Sequence, residues 1–207
     1  PQSEDFPPLD EVLSFYQKNA AADLPMPRLY PLQTEKKSGF SLRPVPLPIT
    51  PGIVTSLQRM DKPGEPSSLL LTDMLLGHIE RLNRDGGVQM LLPDENLRHP
   101  IDTVVKDLNG DGLQDYIVAE LGTFNAKDST QGLVRIFWQT KDGVRPQNIL
   151  TGVGRVADIA IADLNGDQKV DIVIAEFGWQ KIGGLHVFLQ DVNSTADAVR
   201  FQHQELS

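Results

Sequence analysis

The 207-residue chain has no cysteine, which rules out disulfides, thiolate metal sites and a covalently attached c-type haem in this stretch. It says nothing about the compartment. Long apolar runs are missing too. The nearest candidates are short ones such as Ser68 to Leu71, far below the ~18 to 20 residues of a membrane span. Basic residues are too few for a nucleic-acid partner: 19 Lys and Arg face 28 Asp and Glu, a net charge of -9, and phosphate binding needs clustered cations. The same balance suits a protein that holds cations. The four histidines, His78, His99, His186 and His203, show no metal-ligand spacing. The opening Pro1-Gln2-Ser3-Glu4-Asp5 is neither basic nor apolar, so no signal peptide is visible, and the missing Met reads as a trimmed start.

What is present divides at about residue 50. Prolines at 7, 8, 25, 27, 31, 44, 46 and 48 break residues 1–50 into extended pieces around one expected helix, about 10–22. Asp10 caps its first turn, and Leu9, Val12, Leu13 and Tyr16 fall on one face. Residues 41–50, with alternating prolines, read as an extended strap. From 51 to 207 the pattern becomes short β-type runs separated by Gly, Asp and Asn turns. With 40% hydrophobic residues, the chain can bury a core.

The strongest feature is an internal repeat. Asp107 to Gly122 aligns without gaps to Asp163 to Gly178, identical at nine of sixteen positions and offset by 56 residues. Gly132-Leu133 and Gly184-Leu185 continue the match after a shorter loop. Each unit reads as four strands, which gives about three propeller-type blades at 52–93, 101–150 and 155–206. The expected fold is therefore all-β, a partial β-propeller behind a Pro-rich extension. Second strands such as Ile117-Val118-Ala119 are apolar on both faces, as in a blade held between neighbours.

In each repeat, oxygen-bearing side chains sit at loop positions 1, 3, 5 and 9: Asp107, Asn109, Asp111 and Asp115, then Asp163, Asn165, Asp167 and Asp171. Ca²⁺ takes six to eight oxygens at flexible geometry, so a tight loop with a donor at every other residue suits it. The carbonyls at position 7, Leu113 and Lys169, are natural additional ligands. Two calcium sites are expected. The second loop has Gln168 where the first has Gly112; if that bend needs positive φ, Gln costs roughly 1 kcal/mol, and the second site is the weaker. Asp-Asn-Gly clusters also form plain turns, but two copies, each followed by an apolar strand and Ala-Glu, argue against that. An EF-hand is excluded because position 12 is Val118 or Ile174, not Glu, and the flanks are strand-like.

At these residues the chain resembles the FG-GAP/VCBS repeat of integrin-α-like β-propellers, strongly over about 101–190, weakly over 52–100 and not before. The resemblance implies Ca²⁺ in the loop between the first two strands of a blade. It also implies a ring of about seven blades, serving adhesion or protein and carbohydrate binding. This chain has at most three. The rest of a longer chain, or another protein subunit, is then the expected cover for its open ends.

Up-and-down strands put four loops opposite the calcium loops, carrying His99, Phe124, Arg155 and Trp179. Aromatics and Arg are frequent at binding hot spots, although Trp179 also fits as a plug between blades. Glu120 and Glu176, and Asp102 and Asp158, recur at the 56-residue period, which suggests bonding to a neighbouring blade's backbone. Asn193-Ser194-Thr195 matches a glycosylation acceptor, a short pattern with meaning only on a eukaryotic secretory route. No nucleophile–base pair stands out. The leading expectation is a non-enzymatic, calcium-stabilised binding or scaffolding module outside the cytosol (periplasmic, cell-surface or secreted). The alternatives are an accessory propeller of an extracytoplasmic enzyme or cytochrome-type redox assembly, and a purely architectural segment.

Overall fold

The computed structural model describes residues 52–61, 64–83, 86–92, 95–125 and 127–206, together with four short strands ahead of them. The helix expected at about 10–22 and most of the strap at 41–50 lie outside the described residues. The early strands are β1 (Arg28–Leu29), β2 (Leu32–Thr34), β3 (Phe40–Leu42) and β4 (Val45–Pro46), and they pair β1 with β4 and β2 with β3.

Twelve further strands form three four-stranded antiparallel sheets, and the described residues hold no helix. Blade 1 is β5 (Val54–Met60), β6 (Ser68–Asp73), β7 (His78–Leu82) and β8 (Val88–Met90). Blade 2 is β9 (Pro100–Lys106), β10 (Asp115–Glu120), β11 (Gly132–Thr140) and β12 (Gly143–Val153). Blade 3 is β13 (Arg155–Ala162), β14 (Asp171–Phe177), β15 (Leu185–Gln190) and β16 (Phe201–Leu206). Every strand pairs with its sequence neighbour, the up-and-down order of a propeller blade.

The blades stack in chain order, β9 lying against both β5 and β13. Period-two alternation then gives β10, a middle strand of the central blade, two buried faces. In β10, Tyr116 and Val118 enter a cluster with Leu70, Ile79 and Met60 of blade 1. Ile117 and Ala119, one residue out of phase, enter a cluster with Val156, Ile159, Ile172 and Ile174 of blade 3. Val118, Ile117 and Ala119 are all fully buried, as the two-sided apolar pattern required.

Polar bolts cross the same interfaces. Asp102 in β9 accepts the Ser56 hydroxyl at 2.6 Å from blade 1 and the Ile159 amide at 3.3 Å from blade 3. The recurrent Asp thus bonds to a neighbouring blade's backbone, as expected. Thr72 and Thr103 hydroxyls meet at 2.9 Å across the first interface. The recurrent Glu works inside its own blade. Glu120 accepts the Arg98 amide and Glu176 the Gly154 amide at 2.6 Å, both 22 residues upstream.

Candidate functional site

Both carboxylate loops join the first and second strands of a blade and fold alike, bond for bond. Asp107 Oδ1 accepts the amides of Gly110 at 2.7 Å and Asp111 at 3.2 Å, and Oδ2 accepts that of Gly112 at 2.9 Å. Asp163 does the same for Gly166 at 2.7 Å, Asp167 at 3.1 Å and Gln168 at 2.9 Å. Asn109 Oδ1 accepts the Asp111 amide, and Asp111 Oδ1 that of Leu113; Asn165 and Asp167 repeat this. The loops curl because two residues in each are left-handed: Gly110 and Gly112 at φ 79° and 87°, Gly166 and Gln168 at 80° and 66°. Gln168 therefore pays the penalty for an L-residue that its position implied.

Asp115 and Asp171 stand apart from the rest of their loops. Both are fully buried at the head of the second strand. Asp115 Oδ2 holds the Leu108 amide at 3.0 Å and Oδ1 the Gln139 amide at 2.9 Å; Asp171 holds those of Leu164 at 2.8 Å and Gln190 at 2.9 Å. Each clamps the loop to the end of the third strand. Burial pushes the Asp115 carboxyl above its ordinary 3.8, and Asp111 and Asp107 nearby add to the rise, against the pull of the two amides.

The loop donors are hard oxygens, and most keep a second lone pair beyond the amide they accept. Position 1, 3 and 5 side chains crowd together: Asn109 Nδ2 lies 3.0 Å from Asp111 Oδ2, and Asn165 Nδ2 3.0 Å from Asp167 Oδ2. Among the described residues no group of three or more His, Cys, Asp or Glu converges as a metal cluster. The position 9 carboxylates spend their oxygens on backbone amides, which leaves two carboxylates and an Asn amide on each loop's open side. Carboxylate and amide oxygens are donors of the kind that hard divalent cations take and soft ones do not.

The opposite end gathers the other candidate residues in two groups. His99 and Phe124 meet at 5.8 Å between ring centroids, with His99 in the left-handed region at φ 57°. Arg155 lies 4.9 Å over the Phe177 ring in a cleft of about 400 Å³, lined also by Lys127, Gly154, Glu176 and Lys181. Trp179 is 58% exposed, so it does not plug the space between blades. Its amide and that of Gln180 donate to Asp128 of blade 2 at 2.7 and 3.1 Å.

One cluster escaped the sequence reading. Glu176 Oε2 meets His186 Nε2 at 2.9 Å, and His186 Nδ1 meets His203 Nε2 at 3.1 Å. In blade 2 the same Glu position, Glu120, pairs with Arg135 instead. The histidines come together only because β15 pairs with β16, and no spacing in the chain announces that register.

Three stacked up-and-down sheets with bend loops of this kind define a propeller-type repeat protein. Residues 107–174, from the first carboxylate loop into β14, match the FG-GAP-like repeat family, so FG-GAP-like repeats make up that part of the chain. No curated protein matches the chain.

Proposed function

We propose that this chain is a calcium-stabilised β-propeller module for binding or scaffolding, with one Ca²⁺ held by Asp107, Asn109, Asp111, Asp115 and the Leu113 carbonyl, and one by Asp163, Asn165, Asp167, Asp171 and the Lys169 carbonyl. One observation carries the reading: two loops 56 residues apart adopt the same hydrogen-bond set and present the same oxygens. Plain turns have no need to repeat at that fidelity. Crowded carboxylates repel without a cation, so the ion stabilises the fold it sits in. Weak, extracellular-module affinity suits an extracytoplasmic setting where Ca²⁺ is plentiful. The partner, a protein or a carbohydrate, meets the end that carries Arg155 and Trp179, where Trp179 is exposed and Arg155 stacks on Phe177 beside a cleft. In this reading the chain has no catalytic role.

The test is thermal melting with Ca²⁺ and with chelator, on the wild type and on Asp111→Ala and Asp167→Ala. Chelation lowers the melting temperature of the wild type. The Asp111→Ala variant loses more of that response than Asp167→Ala, because Gln168 strains the second loop before any ion arrives. A melting curve indifferent to chelation refutes the calcium reading.

A further inference from the structure

Three arginines among the described residues are half-buried, and two of them are fully engaged. Arg81 donates to the Ser68 hydroxyl and to the Glu65 carboxylate, each at 2.9 Å. Arg135 is held by Glu120, by Glu95 and by the Asn96 carbonyl at 2.9 Å. The third, Arg155, has no side-chain hydrogen bond or ion pair among the described residues, and its Nε–H is buried. Its one contact is the Phe177 ring, with the guanidinium 4.9 Å from the centroid. A ring face attracts the charge but leaves the N–H fork unfilled. A half-buried cation in that state is costly, and a ligand that completes the fork would account for it.

Arg155 lines the cleft of about 400 Å³ whose walls come from blades 2 and 3, a size suited to one side chain or a small ligand. The carboxylates of that lining leave the arginine alone. Asp128 accepts the Trp179 and Gln180 amides, and Glu176 accepts the Gly154 amide and meets His186. Glu205 is exposed and forms no ion pair with Arg155. Lys127 and Lys181, exposed on the same lining, have no ion pair among the described residues, although the Lys181 charge acts on Asp128. The cleft thus has donors to spare, which favours an anion, and a planar carboxylate matches a guanidinium fork. The loop that carries Lys181 also holds out Trp179, 58% exposed, and Ile182, 97% exposed. So bare an isoleucine gains from an apolar protein side chain and little from a sugar hydroxyl. We propose that this cleft receives an Asp or Glu side chain of a protein partner, its carboxylate forked on Arg155 and an adjacent apolar residue covering Ile182. The inference rests on the reading of this end as the binding end and narrows the partner to an acidic protein segment.

The probe is the acetylated, amidated tripeptide Leu-Glu-Leu, with Leu-Gln-Leu as its uncharged match, titrated into the isotope-labelled full chain and followed by NMR. The acidic peptide shifts the Arg155 Nε–H signal at millimolar concentration, and the Gln peptide binds about tenfold or more weaker. Arg155→Gln weakens the acidic peptide by about tenfold or more, and Arg155→Lys, which keeps the charge but lacks the fork, also weakens it. Lys127→Glu and Lys181→Glu, at exposed positions where folding survives, each weaken it severalfold. Equal binding of the two peptides overturns the proposal, as does binding that Arg155→Gln leaves unchanged. Shifts at Trp179 and Ile182 with Arg155 silent sink the carboxylate seat and keep this end as the binding end. Silence at all three sinks both. The chelation melt, recorded on the same samples, tests the calcium reading independently of either result.

Discussion

Gln168 shows how one side chain separates two otherwise matching loops. Its φ of 66° is the bend that Gly112 makes at 87°. Gln168→Gly should relieve roughly 1 kcal/mol of left-handed strain, offset in part by the entropy glycine loses on folding. The net gain is about 0.5 kcal/mol, seen as a rise of about 1–2 °C in melting temperature; an unchanged or lower value contradicts the account. A second residue ties two loops by charge. The amides of Gln180 and Trp179 hold the Asp128 carboxyl below its ordinary 3.8, with help from Lys181. A lowered folded-state pKa contributes stability that is complete above the unfolded value and lost as pH falls through the folded one. Protection of the Trp179 and Gln180 amides, taken relative to intrinsic exchange at each pH, should therefore fall only as pH drops below 3.8. Asp128→Asn should show the lower protection already at neutral pH, and equal protection in the two proteins there would exclude the staple.

Strands carry the next level, and there the sequence was legible wherever burial dictates residue type. The β10 and β14 boundaries follow from apolar runs that begin at Asp115 and Asp171 and end near the recurrent Glu. The sequence closes blade 2 at about residue 150, whereas its fourth strand spans Gly143–Val153. Its Arg145, Pro146, Gln147 and Asn148 look like turn residues, yet an outer edge strand tolerates both polar side chains and a proline. The pairing of His186 with His203 was illegible for a related reason: it depends on cross-strand register, which hydrophobic periodicity does not fix for the polar β16. Asp102, in contrast, could be read from its recurrence, and its role is testable. Asp102→Ala removes the acceptor that the Ser56 hydroxyl and the Ile159 amide share between blades. The expected loss is about 2–3 kcal/mol in denaturant unfolding, against a smaller loss for Asp158→Ala, whose residue is exposed. Equal losses would mean that Asp102 is no bolt.

At the scale of the molecule, stability in a repeat array is a sum of blades and the interfaces between them. The two interfaces differ in kind. Between blades 2 and 3 lies the larger apolar cluster, joining Ile117, Val134, Ile136, Trp138 and Leu150 to Val156, Ile172, Ile174 and Phe188. Between blades 1 and 2 the cluster is smaller and is supplemented by hydroxyl contacts such as Thr72 to Thr103. Blade 1 also lacks a carboxylate loop: its first and second strands are joined by residues 61–67, where Asp61 pairs with Arg59 at 2.9 Å. Such a pair, largely exposed, adds little. Blades 2 and 3 therefore form the more cooperative unit, and blade 1 opens at lower free energy. Hydrogen exchange under native conditions should find β6 and β7 exchanging faster than β10 and β14, although all four are central strands. Chelation should narrow that gap by loosening the loops of blades 2 and 3 while leaving blade 1 as it was. Protection in blade 1 equal to that of blade 2 would mean that the hydroxyl bolts and Asp102 weigh as much as the extra apolar contacts, and the ranking of the interfaces would reverse.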